Sequence, residues 1–166
     1  LMDAAAPPSG MWATQANAGT LAFEMSVGRV PLVVNCGPGR VFGPAAAIAS
    51  RQTAAHSTLE LDGRSSALIE TRGLAARTFG PRLEAGPQLV AVRQAQDASG
   101  QWLLATHDGY VASHGLLHER RLYIDARGTE LRGEDQLSTP EARARQTLDR
   151  RAREGSVPFV LRFHLH

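Results

Sequence analysis

Thr53-Ala54-Ala55-His56-Ser57-Thr58-Leu59-Glu60-Leu61-Asp62-Gly63 sets a histidine at the mouth of a short alternating run. Leu59 and Leu61 alternate with Glu60 and Asp62, the period of a strand with one apolar face, and Asp62-Gly63 supplies a turn. The same period of two recurs on both sides of this stretch. Upstream, Leu21, Phe23, Met25 and Val27 share one face, and Ala22, Glu24 and Ser26 the other. Gly28-Arg29 then turns the chain into a more fully buried strand over residues 30–35, so a hairpin is expected. Residues 38–44 read as a glycine- and proline-rich loop, and residues 45–55 carry enough alanine for a short helix.

Downstream, residues 67–70 form a further short strand and residues 73–86 read as irregular. Longer strands are expected over 88–96, 101–107, 116–126 and 130–137, with turn signals at Ala98-Ser99-Gly100 and Ala126-Arg127-Gly128, the pattern of a meander. In residues 159–166, Phe159, Leu161, Phe163 and Leu165 face one way and Val160, Arg162, His164 and His166 the other. Residues 139–155 form the longer helix, a surface element or flexible insertion. Thr139 would cap it, Pro140 would take its first position and Gly155 would end it. Many hairpin-spaced strands with one or two short helices predict an all-β fold, an antiparallel β-sandwich of the supersandwich kind, in a single domain spanning 1–166.

The 166 residues are 43% apolar and 20% charged, a globular balance with too little net charge for a disordered chain. No run of about eighteen apolar residues is present, so no membrane span is expected. The formal charge of +2 is too small to imply nucleic acid. All 18 basic residues are arginine, which points either to codon bias or to bidentate recognition of carboxylates or sulfates. The one cysteine, Cys36, excludes an internal disulfide, leaves the compartment open, and reads as a small buried hydrophobe in Val33-Val34-Asn35-Cys36-Gly37. Leu1 follows no signal-peptide pattern, and both ends read as cuts from a longer protein.

The segment around His56 resembles the "AHNT…DG" stretch of heparinase II/III-like bacterial polysaccharide lyases. The resemblance runs in order along nearly the whole chain. It includes Asp3-Ala4-Ala5-Ala6-Pro7-Pro8, Leu21-Ala22-Phe23-Glu24, Val34-Asn35-Cys36-Gly37 and His107-Asp108-Gly109-Tyr110. It continues through His114-Gly115-Leu116-Leu117-His118 and its strand, Arg132-Gly133-Glu134-Asp135, and Arg162-Phe163-His164-Leu165-His166. The resemblance implies a C-terminal β-sandwich whose partner would be an N-terminal (α/α) toroid absent from this chain. It implies β-elimination on an acidic, uronic-acid polysaccharide, with the toroid supplying much of the chemistry. This chain alone is therefore expected to be inactive. It also gives a lean towards the periplasm.

Members of the family place "HxHxD" at a strand start and often hold a structural metal near the cleft. Here Gln15 stands at the first histidine, Asn17 at the second and Gly19 at the aspartate, and Asn35 replaces a further aspartate. An amide oxygen is a poor zinc ligand. The resemblance thus implies a degenerate site of His56, Asn17 and Asn35 that forms a hydrogen-bonded polar cluster and needs no cofactor, zinc or other divalent metal. His56 is the candidate ligand or general base, weighed against a bracing role. Gln15 and Asn17 are candidate sugar contacts. Trp12 is a candidate sugar platform or toroid contact. Tyr110 could stack on a sugar, though plugging the sandwich edge is the commoner role of such a tyrosine.

Three further features carry competing readings. His164 and His166 have spacing that can hold a metal, against a solvated face. His114 and His118 fit the solvated account, with His118 expected half-buried. The arginines of residues 143–153 could hold an anionic glycan, against a self-compensated helix with pairs Glu141–Arg145 and Asp149–Arg153. A non-catalytic glycan-binding or docking module is the competing reading of the whole chain.

Overall fold

Period-two segments become antiparallel ladders throughout, because each strand buries one face against a neighbour reached by a short turn. The computed structural model describes residues 1–166, which divide into two compact units. The first comprises Leu1–Pro87 with Val157–His166, and the second, Gln88–Ser156, is inserted between them in sequence.

In the first unit, β1 (Met25–Val27) and β2 (Val30–Val34) form the expected hairpin, with Val27 opposite Val30 and Gly28 at φ +60° in the turn. The first strand nevertheless starts four residues later than its alternation predicts. Leu21 adopts φ +63°, and Ala22 donates back to the Gly19 carbonyl at 2.8 Å, so residues 19–22 turn. Phe23 instead makes an isolated bridge with Met2. Next come helix α1 (Pro44–Ala49) and β3 (Leu59–Leu61). Asp62 (φ +53°) and Gly63 (φ +64°) both lie in the left-handed region, the geometry of the tight turn their sequence announces, closed by an isolated bridge between Leu61 and Arg64. Residues 73–86 are not irregular. They hold helix α2 (Gly73–Phe79) and β5 (Arg82–Ala85), which pairs with β4 (Leu68–Glu70). Only Ala76 of α2 is buried while Leu74 is exposed, so its sequence carries no clear amphipathic stripe.

The second unit is the predicted meander. Strands β6 (Val90–Gln96), β7 (Gly100–Tyr110), β8 (Leu116–Asp125) and β9 (Leu131–Ser138) lie in that order, each antiparallel to the next. Helix α3 (Val111–His114) links β7 to β8, and Gly115 ends it in the left-handed region at φ +71°. Helix α4 (Ala142–Glu154) begins after Glu141 with no side-chain cap, so Thr139 and Pro140 lie before it rather than in its first turn.

On returning to the first unit, residues 159–166 form two short strands. Strand β10 (Phe159–Leu161) pairs with β3, and β11 (His164–Leu165) pairs with β2. Between them the Arg162 N–H donates to the Thr58 carbonyl at 3.1 Å, and its guanidinium pairs with the Glu60 carboxylate. That ion pair explains why all of β3, Glu60 included, is buried, where simple alternation would leave Glu60 in water. The antiparallel, mostly β class expected from the sequence is the class observed, with four helices rather than one or two.

Candidate functional site

A pocket of about 340 Å³ opens in the first unit, and Gln15, Asn17, Asn35 and His56 all line it. Short helical turns and strand ends deliver them. Gln15 ends the 3-10 helix Gly10–Thr14, Asn35 follows β2, and His56 follows the 3-10 helix Thr53–Ala55. Asp3, Glu24, Arg40 and Arg51 add charge to the lining.

His56 is 6% exposed, and its Nδ1 lies 2.8 Å from the Gln52 carbonyl. A carbonyl only accepts, so Nδ1 carries the proton and Nε2 presents its lone pair. No protein group bonds Nε2, and no buried side-chain nitrogen or oxygen lacks a partner, so Nε2 meets the open pocket. Gly19 makes room for the ring: a Cβ there would fall 2.7 Å from His56 Cδ2. Burial holds the imidazole below its ordinary range, against the opposing pull of the Gln52 carbonyl and Asp3. The ring is therefore neutral at neutral pH, with a basic nitrogen facing the pocket.

The remaining lining is largely committed. Asn35 accepts the Ser57 N–H at 2.8 Å and donates to Glu24 Oε1 at 3.0 Å. The Gln15 side-chain oxygen accepts from Arg40. Arg51 donates to the carbonyls of Ala16, Pro81 and Ala13 at 2.9, 2.8 and 3.0 Å, lacing together loops that the sequence leaves without regular structure. Desolvation, then the nearby Arg40 charge, lowers its pKa. Desolvation also raises Asp3 above the usual carboxylate value. Asn17 is exposed with its amide unengaged.

These donors do not suit the metal that the family often holds here. Asn35 is spent on Ser57 and Glu24, only one imidazole nitrogen and the Asn17 amide are left of the expected set, and no group of three His, Cys, Asp or Glu side chains could hold an ion. His164 and His166 do not act together either. His164 Nε2 lies 3.1 Å from the Ala54 carbonyl and its Nδ1 3.5 Å from Cys36 Sγ, so the ring is turned inward, away from the solvated face expected of it. Cys36 is exposed rather than a buried hydrophobe.

Trp12 is 76% exposed. Tyr110 belongs to the second unit and is fully buried beside His107, with ring centroids 5.5 Å apart. It plugs the end of β7 and offers no face to a sugar.

Sequence reasoning missed a sealed polar chain in the second unit. The Gly109 N–H donates to His107 Nδ1 at 3.0 Å, which leaves His107 Nε2 as the donor to His118 Nδ1 at 3.1 Å. His118 Nε2 then donates to Asp135 Oδ1 at 2.6 Å, and Arg120 grips both Asp135 oxygens at 2.8 and 3.0 Å. His118 is fully buried rather than half-buried, and His114, also buried, lies in α3 against Ser113 Oγ. Burial first, then the charges of His118 and Arg120, pushes His107 down to about 3. Burial also lowers His118, outweighing Asp135. Burial alone would raise Asp135, but bonds from His118 and Arg120 hold it below its usual range. The register opposes His107 to His118 and Arg120 to Asp135; the one signal the sequence held is that all four fall in segments that carry the resemblance.

The antiparallel β fold and its polar pocket agree with the family described as "Heparinase II/III-like, C-terminal", which matches residues 1–166; the chain belongs to that family. Among individual proteins, the chain is similar to "FtsZ-localized protein C" of Caulobacter vibrioides (strain NA1000 / CB15N), at 40% identity over 172 residues. The match covers 100% of this chain and 28% of that protein, so the chain spans well under a third of its relative's length. No solved structure matches.

Proposed function

We propose that the pocket forms one wall of a cleft for uronic-acid-containing glycan, in a parent protein that acts as a polysaccharide lyase together with an N-terminal toroid. The observation carrying this reading is His56: Nδ1 fixed on Gln52, Nε2 open to the pocket, and a ring kept neutral by burial. A neutral imidazole can accept the proton that β-elimination removes beside the sugar carboxylate. Arg40, in the same lining, carries the charge that would neutralise that carboxylate and acidify the C–H. Gln15 and Asn17 would bond sugar hydroxyls, and Trp12 would meet the polymer or the toroid. The acid for the leaving oxygen would come from the toroid half.

A second reading, a non-catalytic glycan-binding or docking module, is favoured by the amides and glycine at positions 15, 17 and 19. The relative named for its FtsZ localisation points the same way. Calorimetry with oligogalacturonate tests both readings. Replacing His56 by alanine should weaken binding to the chain at least about tenfold, the loss of one good buried contact. In the longer protein it should abolish release of unsaturated uronate, read by ultraviolet absorbance. Full binding in the variant would remove the pocket assignment. Binding without any unsaturated product from the intact protein would leave the module reading.

A further inference from the structure

We propose that the solvent face of α4 is a second binding surface, built for the carboxylates of a polyuronate strand. Residues 142–154 hold five arginines and two acids, a net +3. The observed ion pairs are not those the sequence suggests. Arg145 pairs with Asp149 at 3.2 Å and Arg151 with Glu154 at 3.3 Å, which uses up both acids. Arg143, Arg150 and Arg153 are exposed and make no ion pair or hydrogen bond.

The packing of α4 aligns these three. Ala144 is 3% exposed, and Gly115 sits so close beneath the helix that a Cβ there would lie 1.9 Å from the Ala144 carbonyl oxygen. Arg151 Nε adds a bond to the Ser113 carbonyl at 3.2 Å. With that face pinned, positions 143, 150 and 153 come out on the opposite side, spread over about 15 Å at the rise of an α-helix.

Stability does not account for this stripe. Arg143 lies in the first turn, at the positive end of the helix dipole, where a cation is disfavoured. Arg150 and Arg153, three apart, repel. A row of free guanidiniums held against local electrostatics fits a ligand that supplies a row of anions, and guanidinium takes a carboxylate bidentately. The features of a lipid-binding helix are missing, because its one large apolar residue, Leu148, is half-buried beside the buried Ala144, and the exposed apolar residues, Ala142 and Ala152, are too small to insert. Duplex DNA rewards a denser field than three cations on a chain of net +2. The choice of a uronate polymer rests on the proposed function.

The test is anisotropy titration of labelled polygalacturonate with the chain, its R143Q/R150Q/R153Q variant, the paired-arginine control R145Q, and H56A. The triple variant should bind about tenfold more weakly at ~50 mM salt, with a shallower dependence of affinity on salt, while R145Q binds as the parent does. The thermal midpoint of the triple variant should hold or rise, as repulsion is relieved. Parent-like binding by the triple variant overturns the proposal, and if H56A alone loses binding the pocket reading survives. Loss in the triple variant with H56A unaffected keeps the helix and removes the pocket. No binding by the parent overturns both. Tighter capture of duplex DNA or anionic vesicles through the same arginines also overturns the polyuronate assignment.

Discussion

Replacing Asp135 by alanine should bring the second unit close to unfolding. Its carboxylate accepts three bonds of 2.6–3.0 Å, from His118 and twice from Arg120, whose residues are 0% and 1% exposed. Truncation strips a buried guanidinium of its carboxylate, a change that costs about 3–5 kcal/mol. It also leaves the His118 N–H without its acceptor, for about 1–3 kcal/mol more. Even the low end of that sum, about 4 kcal/mol, is a large part of the roughly 5–15 kcal/mol that holds a domain folded. At a urea dependence of about 2 kcal/mol per molar, the midpoint should fall by about 2 M. Trp102, tilted against Tyr123 with ring centroids 4.3 Å apart, reports on this unit once Trp12 is replaced by phenylalanine. The double variant Asp135→Ala/Arg120→Met removes the uncompensated charge and should recover most of the loss. A single-variant effect below about 1 kcal/mol, or a double variant no more stable than the single, would refute the claim that an enclosed charge pair governs this sheet.

Two further outcomes are expected. His107 has a folded pKa of about 3 against an ordinary 6.5, so the unfolded state takes its proton first. Stability should be flat above about pH 7 and fall as pH drops from about 6.5 towards 3, by up to ~1.4 kcal/mol per unit for that histidine. His118 adds to the same fall, and Asp135, depressed in the folded state, adds its own only below the carboxylate range. Thermal midpoints from pH 8 to 4 check this, and His107→Phe should flatten the curve. Gly115→Ala combines a left-handed φ of +71° with a Cβ 1.9 Å from the Ala144 carbonyl, so it should displace α4 at a cost of about 3 kcal/mol. Faster tryptic cutting at the α4 arginines would show it, and parent-like resistance would contradict it.

How legible these features were depends on the range of the interactions behind them. The meander was plain because its alternation and its turns at residues 98–100 and 126–128 are local signals. The pocket was partly legible: Gln15, Asn17, Asn35 and His56 were singled out by resemblance and do share one lining. Arg51 was not foreseen, because its partners are three carbonyls at distant places in the chain, and no spacing rule reports such bonds. Glu60 misled for the same reason, since its partner Arg162 lies 102 residues away. The turn at Leu21 overrode a clean alternation, because residues there bond to Asp3 rather than continue a ladder. His107, His118 and Asp135 were visible as residues but not as a chain of bonds, which exists only in the register of three strands.

The path of the polypeptide between the two units has a consequence for biosynthesis. The partners of β2 and β3 are β11 and β10, made only after the whole of residues 88–156 has left the ribosome. The meander, contiguous in sequence, can form as it emerges, whereas the body that carries His56 must wait with two strand edges uncovered. Slowing translation between residues 88 and 156 would lengthen that interval and expose nascent chains to chaperones and to edge-to-edge clumping.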